Sequence, residues 1–280
     1  MQIYQFLNLA RTVNDNENVN KIILVNLLNK DLVWLYSNLN TIKYDQKFLK
    51  KYLALVKQYA DGLPLGYIFG YVFFNGNKIL VDKNVLIPRN ETEILVDRAL
   101  FYAEKLFASK ILNVLDLCTG SGCIAISMAL KKANWNFIAS DISTKTLDTA
   151  RLNQNLHQLV NVKLVTSDLF VNLAESKFDL IVCNPPYIEK SSDTYQISKL
   201  AHEPELALFA DDGGLEFYQR IFASVLNYTK PDFLLALEIG FDQKQALEKM
   251  LAEKFSSYFY WFEKDYQNHW RFLFISSKGL

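Results

Sequence analysis

The chain has little of several things that would decide its class at once. Cysteine occurs only three times in 280 residues, as Cys118, Cys123 and Cys183. So small and odd a number excludes a disulfide scaffold and points to a reducing compartment. Histidine also occurs three times, and His157, His202 and His269 stand apart from one another and from cysteine at any familiar ligand spacing. No structural metal is therefore expected. No apolar run approaches the roughly 20 residues that span a bilayer. The first residues lack the basic, apolar and small-residue order of a signal peptide. A cytoplasmic protein with no membrane partner is expected. An excess of one charge is missing too: Lys+Arg and Asp+Glu both count 30. Gripping nucleic acid by its phosphates requires a basic excess or patch, so no nucleic-acid partner is expected. There is no internal repeat and no low-complexity segment.

What is present is core-forming material. Hydrophobic residues make up 50% and charged residues 21% of the chain, which suits a large domain with or without a small one. Residues 1–60 carry helical spacing. Ile22, Ile23, Val25, Leu27 and Leu28 are followed by Leu32, Leu35 and Leu39, with Asp31 placed as an N-cap. Phe48, Leu49, Tyr52, Leu53 and Val56 form another stripe opposite Lys47, Lys50, Lys51 and Lys57. That lysine face reads first as a solvated surface and second as a dock for an anionic partner. Gly62 and Pro64 close the region. Asn75-Gly76 between two apolar runs is a hairpin signal. Asn90, with Glu93 three residues on, is placed to cap a helix reaching about Ala108.

From residue 111 strands and helices alternate. Strands are predicted over 111–117, 137–140, 162–165, 178–183 and 233–238, and helices over 122–131, 144–157, 215–226 and 243–253. A closing antiparallel pair follows at 258–262 and 270–275. Alternation of this kind predicts an α/β fold, a parallel sheet with helices on both faces.

Two strand ends carry the chemistry. Residues 178–187 read Phe-Asp-Leu-Ile-Val-Cys-Asn-Pro-Pro-Tyr. The apolar run is a buried strand, stopped at Asn184 because Pro185 and Pro186 lack the N–H that a sheet ladder needs. The outcome is a stiff loop presenting an amide, backbone carbonyls and the Tyr187 ring, just where open α/β sheets bind ligands. The other strand ends Asp116-Leu-Cys-Thr-Gly-Ser-Gly122 and runs into a helix. Gly120 and Gly122 permit a tight turn with a ligand close to the backbone, beside free helix N–H groups. Asp141 ends the next strand, placed to accept from a ribose diol. Gly120-x-Gly122-x-x-Ala125 also fits a dinucleotide site, but a pyrophosphate gives no role to residues 184–187. A cofactor with an adenosine, an amino-acid tail and a sulfonium fits better. Asp116 would then face the ammonium side of the tail, and Asp168, beside Leu169, the adenine amino group.

Together these segments resemble the release factor glutamine methyltransferases, which use S-adenosyl-L-methionine. The resemblance rests on residues 64–70, 86–93, Asp168-Leu-Phe170, Asn184-Pro-Pro-Tyr-Ile188, Glu203-Pro-Glu-Leu-Ala-Leu208, Gly213-Gly-Leu215 and Glu238-Ile-Gly240, in the family's order. It implies a Rossmann-like seven-stranded methyltransferase sheet with a small all-helical N-terminal domain and a β-hairpin linker. Residues 1–68 would be the substrate-docking domain, 69–88 the linker and 89–280 the methyltransferase domain. It implies methylation of the glutamine amide in the Gly-Gly-Gln loop of peptide chain release factors. A monomer is expected. The contacts it carries to the cofactor are Cys118, Thr119, Gly120, Ser121, Gly122, Asp141, Leu169 and Asn184. Those to the substrate are Asn184, Pro185, Pro186 and Tyr187, of which Asn184, Pro185 and Tyr187 are catalytic. Asn90 stands where the family usually has Pro, and Cys118 where it usually has Gly. Asn-Pro-Pro-Tyr by itself is shared with amino-methylases of DNA adenine and cytosine, which keeps a nucleic-acid methyltransferase as the alternative enzyme. A module that binds the cofactor without chemistry is the alternative outside enzymes.

Overall fold

The computed structural model of the chain describes residues 1–108, 110–173, 176–191 and 200–280. It divides into two compact units, Met1–Gly70 and Tyr71–Leu280.

The first unit is helical: Ile3–Arg11, Glu17–Leu28, Leu32–Asn38, Gln46–Ala60 and Leu65–Phe69. Asp31 accepts from the Trp34 N–H at 2.7 Å and Asp45 from the Phe48 N–H at 2.7 Å, so each satisfies a first-turn donor that its helix leaves orphaned. Ile3, Phe6, Ile23, Leu24, Leu35, Leu49, Tyr52 and Val56 form its core. Lys47, Lys50, Lys51 and Lys57 are exposed on the other face of their helix.

The second unit begins with a hairpin of β1 (Tyr71–Phe74) and β2 (Asn77–Leu80). Asn75 and Gly76 take φ of 48° and 75°, the left-handed pair that a two-residue hairpin turn requires. The main sheet uses β3 (Asn113–Leu117), β4 (Asn136–Asp141), β5 (Val162–Thr166), β6 (Phe178–Cys183), β7 (Thr229–Glu238), β8 (Phe259–Lys264) and β9 (Trp270–Ser276). Their order is β5-β4-β3-β6-β7-β9-β8, seven strands as expected. All neighbours from β5 to β7 are parallel, while β9 is antiparallel to both β7 and β8. Every residue of β6 is buried, which is why it is apolar without alternation from Leu180 to Cys183; its charged residue, Asp179, is paired with Lys230 at 2.7 Å. The order reverses between β3 and β6, so the crevice beyond their carboxyl ends is the place for a ligand.

Two local readings change. Helix Asn90–Phe107 has Arg89 at its N-cap, and Asn90 lies inside the first turn. Glu93 does not close a capping box. It accepts from the Asn75 N–H at 2.7 Å, because the hairpin turn presents an unpaired donor to that side of the helix. Strand β7 starts at Thr229 rather than at 233, running through Pro231. The ladder jumps from Phe178↔Thr229 to Leu180↔Leu234, and this irregularity takes the proline nitrogen out of the hydrogen-bonding register.

Candidate active site

The loop after β3 is set by backbone geometry. Cys118, Gly120 and Gly122 have φ of 59°, 56° and 82°. Cys118 thus holds a left-handed conformation that costs an L-residue roughly 1–2 kcal/mol. The Thr119 N–H donates to the Ser140 carbonyl at 2.9 Å, and the Gly122 N–H to the Thr119 carbonyl at 2.9 Å. A Cβ on Gly120 would meet nothing within 4 Å, so this residue faces open space. A Cβ on Gly122 would come 3.1 Å from Ile126 and 3.4 Å from Ala150, so this glycine serves helix packing. From the far side Asn153 donates to the Ser121 carbonyl at 2.9 Å and to the Leu80 carbonyl at 2.9 Å, tying the loop to the hairpin.

Asp141 stands at the end of β4. Its Oδ2 accepts from the Gly120 N–H at 3.1 Å and its Oδ1 from the Ser143 N–H at 3.0 Å. Burial raises its pKa, and these backbone bonds pull it back. A carboxylate has about four acceptor positions, and the Gly120, Ser143 and Ile142 backbone groups leave at least one of them for a diol. Asp168 also faces the crevice, but Arg220 donates to both its oxygens, at 2.6 and 2.7 Å.

Asp116 is not where the sequence placed it. It is 0% exposed and turns under the loop, its Oδ2 accepting from the Thr119 hydroxyl and from the Ala125 N–H. Neither Asp116 nor Gly122 lines either of the two cavities that border the loop after β6. A carboxylate on a strand buried from both sides has no route to a ligand, so Asp116 braces the turn and the start of helix Cys123–Lys131. Burial pushes its pKa from 3.8 up to about 7, against the lowering by Thr119 and Ala125. The folded state then keeps a proton that the unfolded chain releases. This contribution to stability is complete below about pH 4 and lost as pH rises through about 7, on the order of 2–3 kcal/mol between pH 5 and 8. Asp116→Asn should flatten that slope in urea melts and leave cofactor affinity unchanged. An unaltered slope would acquit Asp116.

The loop after β6 lies between two cavities. The larger, about 490 Å³, is lined by Cys118, Thr119, Gly120, Ser121, Asp141, Asp168, Leu169, Asn184 and Pro186 among others. The smaller, about 230 Å³, is lined by Asn184, Pro185 and Tyr187 together with Glu91, Glu238 and Arg271. Asn184 borders both, as do Leu86, Arg89 and Ala207. Arg89 donates to Glu203 Oε1 at 2.5 Å while the Ile87 N–H donates to Oε2 at 3.1 Å, which fixes this dividing wall. The Asn184 Nδ2 donates to the Thr92 hydroxyl at 3.1 Å. That hydroxyl donates to Glu238 Oε2 at 2.7 Å, and the Tyr187 hydroxyl to Glu238 Oε1 at 3.2 Å. Burial raises the Glu238 pKa, with Thr92, Arg271 and Tyr187 opposing. The structure thus gathers eleven of the thirteen predicted site residues at the two cavities. It adds Thr92, Arg220 and Glu238 to their lining, with Glu203 bonded to Arg89. Residues 91–93, 203–208 and 238–240 lay in the segments that carried the resemblance, but their pairings across the fold had no sequence signal.

The larger cavity fits S-adenosyl-L-methionine on this chain's own chemistry. It offers open space over Gly120, a spare acceptor position on Asp141, and apolar walls at Leu169, Phe209 and Phe217.

The methyltransferase small domain model matches residues 96–217. The chain is 35% identical over 285 residues to the release factor glutamine methyltransferase of Mycoplasma mycoides subsp. mycoides, covering 98% of each. It is 41% identical over 231 residues to that of Lactococcus lactis subsp. lactis, covering 82% of each. Among solved structures, the ribosomal protein L11 methylase of Lactobacillus delbrueckii subsp. bulgaricus aligns with a TM-score of 0.51 at 23% identity, over 72% of this chain and 86% of that one. That likeness is one of fold.

Proposed function

The chain belongs to the release factor glutamine methyltransferase family, and from that premise we propose that it methylates the side-chain amide nitrogen of the glutamine in the Gly-Gly-Gln motif of peptide chain release factors, with S-adenosyl-L-methionine as donor. The observation that carries this reading is the position of Asn184, bordering a cofactor-sized cavity on one side and a side-chain-sized one on the other. Cys118, Thr119, Gly120, Ser121, Asp141 and Leu169 would hold the cofactor, with Asp168 near its adenine. When bound, the cofactor supplies an electrophilic methyl group on a positively charged sulfur.

The residues of the smaller cavity do the rest. An amide nitrogen is a poor nucleophile because resonance delocalises its lone pair. It reacts when held in line at about 3 Å, with its hydrogens occupied. Asn184 Oδ1 and the Pro185 carbonyl each accept one of those hydrogens. Two fixed acceptors favour a pyramidal, partly positive nitrogen over a planar neutral one, so they stabilise the transition state more than the ground state. Tyr187 covers the amide and excludes water. No general base is required, because the proton leaves after the methyl group has moved. The protein acts as a cytoplasmic monomer on a protein substrate; its formal net charge of +0 suits that better than nucleic acid.

The test is incubation with methyl-labelled S-adenosyl-L-methionine and purified release factor, followed by mapping of the label. It should sit on the glutamine of Gly-Gly-Gln. Label at another residue, or on nucleic acid alone, would defeat the proposal. The helical unit Met1–Gly70 would dock the substrate. Its removal should leave cofactor affinity intact and slow methylation of whole release factor more than of a short Gly-Gly-Gln peptide. Equal loss on both substrates would assign it to folding instead.

A further inference from the structure

We propose that Glu238, acting through Thr92, decides which end of the Asn184 amide faces the substrate, so that Thr92 and Glu238 are positioning residues for methyl transfer. The inference rests on the reading of Asn184 given above. An asparagine side chain has two ends of nearly equal shape, one an acceptor and one a donor. Only the oxygen suits an incoming NH₂ group; a flip would set donor against donor. Something must therefore hold the flip off, and Asn184 itself has no means to do so.

The chain of hydrogen bonds behind it does. Both Glu238 oxygens accept from hydroxyls, Oε2 from Thr92 at 2.7 Å and Oε1 from Tyr187 at 3.2 Å, so in this arrangement Glu238 is an acceptor only. The Thr92 hydroxyl has one hydrogen and donates it to Glu238 Oε2 at 2.7 Å. Toward Asn184, 3.1 Å away, Thr92 then has only lone pairs to offer, and it accepts from Nδ2. This leaves Oδ1 as the end available to the substrate. Thr92 is 2% exposed and Glu238 is 1% exposed, so water does not take the place of either partner. Glu238 is itself held. The Tyr187 hydroxyl donates to its other oxygen at 3.2 Å, the Tyr218 hydroxyl to its backbone carbonyl at 2.9 Å, and the Arg271 charge lies near. One carboxylate thus orders both Asn184 and Tyr187, the two side chains of the loop that meet the substrate amide.

The test is a mutant cycle read by single-turnover methyl transfer at saturating cofactor. Thr92→Val keeps shape and burial but removes the hydroxyl, and should slow transfer about tenfold, the worth of one lost buried hydrogen bond. Thr92→Ser, which keeps the hydroxyl, should restore most of the rate. Because Thr92 acts through Asn184, Thr92→Val placed on Asn184→Ala should add nothing further, whereas a merely structural effect would multiply. A readout free of turnover accompanies it. In protein labelled with nitrogen-15, and without substrate, the Asn184 side-chain amide should exchange its hydrogens slowly in the wild type and faster in Thr92→Val. Thr92→Val at the wild-type rate, multiplying effects in the double variant, or unchanged exchange would each overturn the proposal. If Asn184→Ala itself transfers methyl at the wild-type rate, the reading of the active site fails with it. If Asn184→Ala is slow and Thr92→Val fast, only the positioning role fails.

Discussion

Asn184→Ala is expected to slow methyl transfer by about 10²–10³-fold, the usual effect of losing one preorganised transition-state hydrogen bond. The loss should fall on the chemical step. Asn184 borders both cavities, and the loop residues Cys118 to Ser121 and Asp141 remain to hold the cofactor, so cofactor affinity should change little. Asn184→Asp separates geometry from charge. It keeps an acceptor for the amide hydrogens but loses the NH₂ that donates to Thr92 at 3.1 Å, and it sets a second carboxylate near Glu238. Its rate should lie between wild type and Asn184→Ala. Single-turnover transfer by the three proteins at saturating cofactor measures the order. A wild-type rate in Asn184→Ala would reduce residues 184–187 to a turn.

The parts of this site that were legible in the sequence are those whose cause is local. An unbroken apolar run announces a strand buried on both faces, and two prolines end it wherever it lies. Asn75-Gly76 dictates a turn because few other pairs accept left-handed φ twice. The glycines at 120 and 122 announce a tight loop, although the sequence alone could not distinguish their tasks: Gly120 faces open space and Gly122 presses on Ile126 and Ala150.

What was not legible depends on direction or on distant neighbours. Spacing brings Asp116 to the loop but does not say which way its carboxylate turns. It turns inward, where Thr119 and Ala125 supply donors that the loop and the first turn of the helix would otherwise leave unmatched. Thr92 and Glu238 are 146 positions apart and meet only because β7 ends beside the first turn of helix Asn90–Phe107. That meeting depends on β6 lying between β3 and β7, which no single segment encodes. The role of Glu93 is hidden for the same reason, since its partner Asn75 lies outside its own helix.

Asp141→Ala should weaken S-adenosyl-L-methionine binding by roughly 10- to 100-fold, since hydrogen bonds to a charged group contribute about 1.5–3 kcal/mol. The structure adds a complication that the sequence did not contain. The carboxylate already accepts from the Gly120 and Ser143 N–H groups, at 3.1 and 3.0 Å, so removing it also loosens the loop that carries the cofactor. The two contributions separate with an analogue that lacks the ribose hydroxyls. If Asp141 holds the diol, the analogue should bind the wild type weakly and lose little more in Asp141→Ala. If Asp141 only braces the loop, the natural cofactor and the analogue should lose affinity equally. Acid gives an independent sign. Burial raises the Asp141 pKa, and the bound diol needs an acceptor, so affinity should fall as pH drops through that raised value, earlier than for an ordinary carboxylate. In Asp141→Ala that acid limb should be absent. Titration calorimetry of both proteins with both ligands measures all of this, and equal affinities for the natural cofactor would remove Asp141 from the site.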